Sequence, residues 1–266
     1  MAWTGQAKPI MPAQMLNTIR HDGPDGPIPL LIAHGLYGSG RNWGVIAKRL
    51  SSERTVIAVD MRNHGLSPWM DSHTYPDMAD DLAAVIRAQG GPMAVLGHSM
   101  GGKAAMILAL THPDLVERLI VGDIAPVGYA HDQSRYITAM QAVDLSLVEK
   151  RSDAEAQLAA LVDDPTLPAF FTQSLDLKEK RWRLNLDVLS QQMPHILGFP
   201  QVDAEFGKPA LFLTGANSPY VQPDHRGTIK ALFPAARFAK IPGAGHWLHA
   251  EKPREFEAAV RAWLAS

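Results

Sequence analysis

Short apolar runs rich in Val, Ile and Leu alternate along this chain with longer stretches in which apolar positions recur every three to four residues. The runs are Ile28 to Ala33, Thr55 to Val59, Met93 to Leu96, Leu119 to Val121, Ala210 to Thr214 and Arg237 to Ile241. Near-continuous apolarity over so few residues predicts strands buried on both faces of a parallel sheet. A further strand is expected near Asn17 to Arg20. Between the runs, Met78, Leu82, Val85 and Ile86 fall on one helical face, with Asp77, Asp80 and Asp81 near the positive end of that helix. Phe256, Val260, Trp263 and Leu264 repeat the pattern after Pro253, a suitable first-turn residue. The alternation predicts an α/β fold, a doubly wound and mostly parallel sheet with right-handed crossovers.

One connection breaks the rhythm. From Asp123 to Ala210 the chain runs far beyond the roughly 30 residues that a βαβ unit needs with its helix. Within it, Ile137, Met140 and Leu145, then Ala154, Leu158 and Leu161, mark short helical patterns. Residues 127–206 are therefore expected to form an inserted helical lid, with 1–126 and 207–266 making the core. A lid at this point covers the carboxyl ends of the strands, where open α/β sheets bind their ligands. Phe170, Phe171 and Trp182 make it an apolar cover, so they are candidate substrate-binding residues, or else they hold the lid together.

Composition narrows the partners. With 266 residues, 46% hydrophobic and 20% charged, the chain buries a large core, and a net charge of −2 offers no basic field for a nucleic-acid backbone. The absence of Cys excludes disulfides, thiolate catalysis and cysteine metal sites, and no histidine cluster has metal-ligand spacing. No cofactor and no metal are expected. Met1 to Pro12 lacks the basic-then-apolar pattern of a secretory signal, and no run approaches a membrane span, so a cytoplasmic protein is expected.

The chemistry is concentrated at Gly97-His98-Ser99-Met100-Gly101, directly after an expected strand and before the apolar stretch Gly102 to Leu108. Strand, tight turn and helix are the setting of a nucleophile elbow, in which a strained turn exposes the serine Oγ. Gly97 to Ala104 also approaches a phosphate-binding loop, G-x-x-x-x-G-K-[ST]. Ala104 lacks the hydroxyl that would bind magnesium, and the nucleotide reading fails there. A serine hydroxyl needs a base. His246, in Gly243-Ala244-Gly245-His246-Trp247 after the last strand, is the candidate, in preference to His249 at the following helix start.

With Gly97 to Gly102, His34-Gly35, and the stretch Asp60 to Ser67 that fits D-x-R-x-x-G-x-S, the chain resembles the α/β-hydrolase superfamily. Through Gly122-Asp123-Ile124-Ala125-Pro126, Arg181 to Leu186, Gly215 to Tyr220 and Gly243 to Trp247 it resembles, more narrowly, the small bacterial carboxylesterases and acyl-CoA thioesterases. The resemblance implies an acyl-enzyme mechanism on a small-molecule ester or thioester, with short to medium acyl chains and acyl-CoA among the expected substrates. It also implies an oxyanion hole built from the backbone NH groups of Leu36 and Met100, and no catalytic role for Asp60, Arg62 or His64. Relatives that cleave carbon–halogen bonds or epoxides carry aspartate at the elbow, which Ser99 argues against. Carbon–carbon bond hydrolases and perhydrolases use the same parts and stay open as alternatives, as does a non-catalytic ligand-binding module.

The acid that orients His246 is expected at Asp123. Many hydrolases place it after the strand that here is Ala210 to Thr214, but Gly215-Ala216-Asn217-Ser218 offers no carboxylate before Asp224, and Asp224 falls at an expected helix start. Asp123 ends the preceding strand, at the same edge as the elbow; a helix cap or lid hinge is its other reading. Lys178, Lys180, Arg181 and Arg183 form a basic cluster in the lid, either meeting CoA phosphates or lying on a solvated helix face.

Overall fold

A computed structural model describes residues 15–131 and 133–266. The Met1 to Pro12 stretch lies outside the described residues. Strand β1 (Thr18–His21) is an edge strand, followed by β2 (Leu30–Ala33), α1 (Gly44–Leu50), β3 (Val56–Val59), α2 (Tyr75–Ala88), β4 (Met93–His98), α3 (Met100–Thr111) and β5 (Val116–Gly122). After the long connection come β8 (Ala210–Gly215), α9 (His225–Leu232), β9 (Ala236–Ile241), α10 (Leu248–Glu251) and α11 (Pro253–Leu264). The connection itself holds α4 (Ser134–Gln141), α5 (Arg151–Ala159), α6 (Leu167–Thr172), an antiparallel ribbon of β6 (Leu175–Asp176) and β7 (Arg181–Trp182), α7 (Leu186–Gln191) and α8 (Met193–Leu197).

Seven strands form one sheet in the order β1-β3-β2-β4-β5-β8-β9, parallel throughout except for the β1–β3 pair. The period-2 geometry of the strands divides the core. Leu31, Ala33, Ile57, Val59, Val95, Val121 and Phe212 face α2 and α3, while Leu30, Ile32, Val56, Ala58, Leu96, Ile120 and Leu213 face α1 and α11. Right-handed crossovers require this division, because the chain moves one way from β2 to β3 and the other way from β3 onward. The reversal leaves a crevice between the carboxyl ends of β2 and β4, the position at which doubly wound sheets bind ligands.

Helix α2 starts where its residues dictate. Thr74 caps it by accepting from the Asp77 amide, Pro76 sits in its first turn, and Met78, Leu82, Val85 and Ile86 are buried. Helix α3 is buried on nearly every side, in keeping with its run of Ala, Met, Ile and Leu. Among the described residues no helix is long and apolar enough to cross a membrane.

Candidate active site

The elbow is a steric construction. At Gly97 a Cβ would lie 2.1 Å from the Gly101 carbonyl oxygen, and at Gly101 it would lie 2.4 Å from the Ala33 carbonyl oxygen. Strand β4, helix α3 and the end of β2 can approach this closely only where side chains are missing. The turn forces Ser99 to φ 52°, ψ −117°, a region that costs an L-residue free energy and persists only when its surroundings impose it. Asp123, one residue beyond β5, also has a positive φ of 51°. The Ser99 amide donates to the Gly122 carbonyl at 2.9 Å, and the Asp123 amide donates to the Leu213 carbonyl at 2.9 Å. These bonds set Ser99 and Asp123 side by side at the tips of neighbouring strands.

His246 bridges them from the loop after β9. Its Nε2 lies 3.1 Å from Ser99 Oγ and its Nδ1 lies 2.7 Å from Asp123 Oδ2. Asp123 is fully buried, and three donors meet its carboxylate: the His246 ring, the Gly215 amide at 3.0 Å, and the Ser218 hydroxyl. The carboxylate therefore holds Nδ1 as the protonated ring nitrogen and leaves Nε2 as an acceptor for the serine proton. Tyr220 stacks on the imidazole, with centroids 3.9 Å apart and planes 20° from parallel. The Tyr129 hydroxyl donates to the Tyr220 carbonyl at 2.7 Å and so fixes that loop. Asp224 stands at the N-terminus of α9, and His249 is buried against Trp43, stacked at 4.2 Å. His98 points away from the reacting face, its Nε2 donating to the His246 carbonyl at 2.9 Å.

Leu36 and Met100 line the same cavity as Ser99 and His246. Met100 is the first residue of α3, so its amide is one of those a helix leaves without an internal partner. The Leu36 loop is held by two histidines. His34 Nε2 accepts from the Met61 amide at 2.9 Å, and His64 Nε2 accepts from the Tyr37 amide at 3.2 Å. The other ring nitrogens donate to the carbonyls of Gly35 and Arg62. Each ring must be neutral to do both, and burial lowers the pKa of both, that of His64 well below the ordinary imidazole value. Asp60 accepts from the Gly40 and Leu66 amides and from Asn17, and Arg62 grips Asp81 through two nitrogens at 2.6 and 2.9 Å. The stretch Asp60 to His64, with Ser67, is thus a buried brace under the loop.

The cavity, of about 200 Å³, is walled on the core side by Gly35, Met100 and Ile124, and on the other by Phe170, Phe171 and Leu167 of α6. Phe170 meets the Trp247 ring at 4.6 Å. Trp182 is not on this wall: its indole NH donates to the Met140 carbonyl at 2.9 Å, which ties the β6–β7 ribbon to α4. The basic cluster lies on that ribbon and its flanks, not on a helix. There Arg183 pairs with Asp176 at 2.9 Å and Lys178 lies 3.9 Å from Glu179. Tyr220 and Lys103 line the cavity and Ser218 meets Asp123 behind it; all three lie within stretches quoted for their motifs, Gly215 to Tyr220 and Gly97 to Ala104, but none was singled out as a site residue.

Comparison with known proteins agrees with this architecture. Residues 28–253 match the family model described as alpha/beta hydrolase fold. The chain is 42% identical over 253 residues to the sn-1-specific diacylglycerol lipase ABHD11 of Mus musculus, covering 91% of this chain and 82% of that one. It is 42% identical over 240 residues to the esterase YbfF of Escherichia coli, with 89% and 92% covered. A solved esterase from a marine microorganism superposes with a TM-score of 0.88 at 38% identity, covering 94% of this chain and 99% of the other. The strained serine turn, the doubly wound sheet and these likenesses converge: the chain belongs to the α/β-hydrolase family.

Proposed function

We propose that this protein is a serine esterase in which Ser99 is the nucleophile, His246 the general base and acid, and Asp123 the group that orients His246. The observation that carries the reading is the continuous relay of 3.1 and 2.7 Å from Ser99 through His246 to Asp123, opening on an apolar cavity. That the protein hydrolyses esters follows from relatives named esterase and diacylglycerol lipase at 42% identity over most of the chain.

In the first half-reaction Ser99 Oγ attacks the acyl carbon as its proton passes to His246 Nε2. The carbonyl oxygen takes up negative charge between the amides of Leu36 and Met100, which were fixed beforehand and cost no reorganisation. Collapse breaks the ester bond; the leaving alcohol takes the proton from His246, and the acyl group stays on Ser99. Water then attacks the acyl-enzyme, giving its proton to His246, and the acid departs as Ser99 recovers that proton. Segment 127–206 acts as a lid, with Phe170 and Phe171 bounding the acyl chain, and a cavity of this size supports short to medium chains. Thioesters react by the same route.

Hydrolysis of p-nitrophenyl butyrate, together with stoichiometric labelling of Ser99 by a fluorophosphonate, tests the reading. Wild-type protein is expected to do both and Ser99→Ala neither. Full turnover by purified Ser99→Ala would overturn it.

A further inference from the structure

Lys103 lies one helical turn after Ser99 along α3, is only 1% exposed, and stands on the cavity wall. Its neighbours on the helix are Ala, Gly and Met, so the ammonium sits where desolvation is severe and a charge is tolerated only if it is met. Its Nζ donates to the carbonyls of Leu197 at 2.9 Å and Gly198 at 2.5 Å, at the end of α8. The rings of Tyr129 and Tyr75 lie 4.8 and 5.6 Å away. An ammonium has three N–H donors, and the two carbonyls occupy two of them. The titratable groups that face it are Tyr75 from α2, and Tyr129 and His131 from the loop after β5. Both tyrosine hydroxyls are already engaged as donors, to the carbonyls of Ile196 and Tyr220.

Among the described residues no carboxylate pairs with Lys103. Asp164, which lines the same cavity, accepts instead from the amide and hydroxyl of Thr166. A wall of rings leads from the base to the ammonium: His246 to Tyr220 at 3.9 Å, Tyr220 to Tyr129 at 5.2 Å, and Tyr129 to Lys103. A cation without a counter-ion, set along an apolar cavity that begins at the nucleophile, is arranged to receive an anion carried by the ligand itself. We propose that Lys103 is a specificity-determining residue that binds a carboxylate at the far end of the acyl chain, so that half-esters of dicarboxylic acids are preferred to neutral esters of equal length. The proposal rests on the serine-esterase reading above.

Burial alone brings the Lys103 pKa down to about 7, so the unliganded ammonium loses its proton near neutrality, and a bound carboxylate would restore it. The preference is therefore expected to weaken as pH rises past 7. The test uses mono-p-nitrophenyl esters of succinic, glutaric and adipic acids, each paired with its ω-methyl ester, on wild type, Lys103→Met and Lys103→Gln. At pH 6.5 the wild-type kcat/KM for at least one acid is expected to exceed that of its methyl ester by about tenfold, as one charge-assisted contact allows. That ratio should fall to one or below in both variants and decline in wild type toward pH 8.5. An acid-to-methyl-ester ratio of one or less in wild type at all three lengths, or an equal ratio in wild type and variants, would overturn the proposal and leave Lys103 as a tether for α8. If the variants do not fold, the wild-type ratio and its pH dependence decide. Absence of turnover on every ester and of Ser99 labelling would instead sink the esterase reading.

Discussion

The two sides of the cavity hold their residues by different means. On the sheet side, Ser99 and Asp123 sit at adjacent strand tips with φ of 52° and 51°, and backbone bonds across β4, β5 and β8 leave them no other position. On the side of the inserted segment, Phe170 and Phe171 come from α6, a helix of six residues held by packing and by side-chain bonds such as Thr172 to Glu155 of α5. A ladder of backbone hydrogen bonds over-determines geometry, whereas short amphipathic helices fix it only through the surfaces they bury. The sheet side is therefore suited to chemistry that fails on small displacements, and the inserted side to a wall that changes shape with the substrate.

The sharpest way to break this comparison is to change the strand tips and watch turnover. Ser99→Ala is expected to lower kcat for p-nitrophenyl butyrate by about 10⁶-fold, and Asp123→Asn by about 10⁴-fold through the wrong imidazole tautomer. Asp224→Asn, at the start of α9, should stay within about twofold. A large loss at Asp224 with little at Asp123 would move the orienting acid to the later loop and undo the account of the strand tips.

What the sequence made legible follows the same division. Gly97 and Gly101 announce an elbow because no other residue fits between β4, α3 and β2, so a local pattern encodes a tertiary contact. Asp123 was reachable because a strand end fixes which edge of the sheet a residue occupies. The buried face of α2 and that of α11 were legible from periodicity, and the early strand was placed within a residue. The inserted segment was less so. The basic cluster suggested a helix face but lies about a two-stranded ribbon, because two-residue strands are too short to show a period. Trp182 could be read as a cavity wall or as a strut, because burial of an aromatic does not say which space it fills. Ser218 stands within Gly215 to Tyr220, but that stretch does not disclose its role, since its partner Asp123 lies 95 residues away.

Acid separates the core from the inserted side by stability. His34, His64, His73, His98 and His249 are buried, and burial holds the pKa of each below its ordinary value, to about 3 for His73 and His249. The unfolded chain takes up these protons below about pH 6.5 and the folded protein does not, so stability is retained above that pH and lost as pH falls. Each such group contributes up to about 1.4 kcal/mol per pH unit between its unfolded and folded values. All five pack in the core, two of them under the Leu36 loop. The urea midpoint is expected to fall steeply from pH 7 to pH 5, and an unchanged midpoint would show that these rings take up protons in place.

Phe170 and Trp182 offer the smallest and most discriminating contrast, because both are aromatics of the inserted segment and only one faces the cavity. Phe170→Ala removes a ring from the wall beside Trp247 and should shift the preferred acyl length upward, with selectivity between neighbouring chain lengths changing by about tenfold. Trp182→Phe keeps the apolar bulk and removes one buried hydrogen bond, so about 1 kcal/mol of stability is expected to go. The Met140 carbonyl also accepts from the Val143 amide at 3.4 Å, which keeps that loss at the low end. The chain-length profile of Trp182→Phe should match wild type. If it moved as far as that of Phe170→Ala, the inserted segment would be adjusting the cavity as one body, and the division between a wall and the struts behind it would have to be given up.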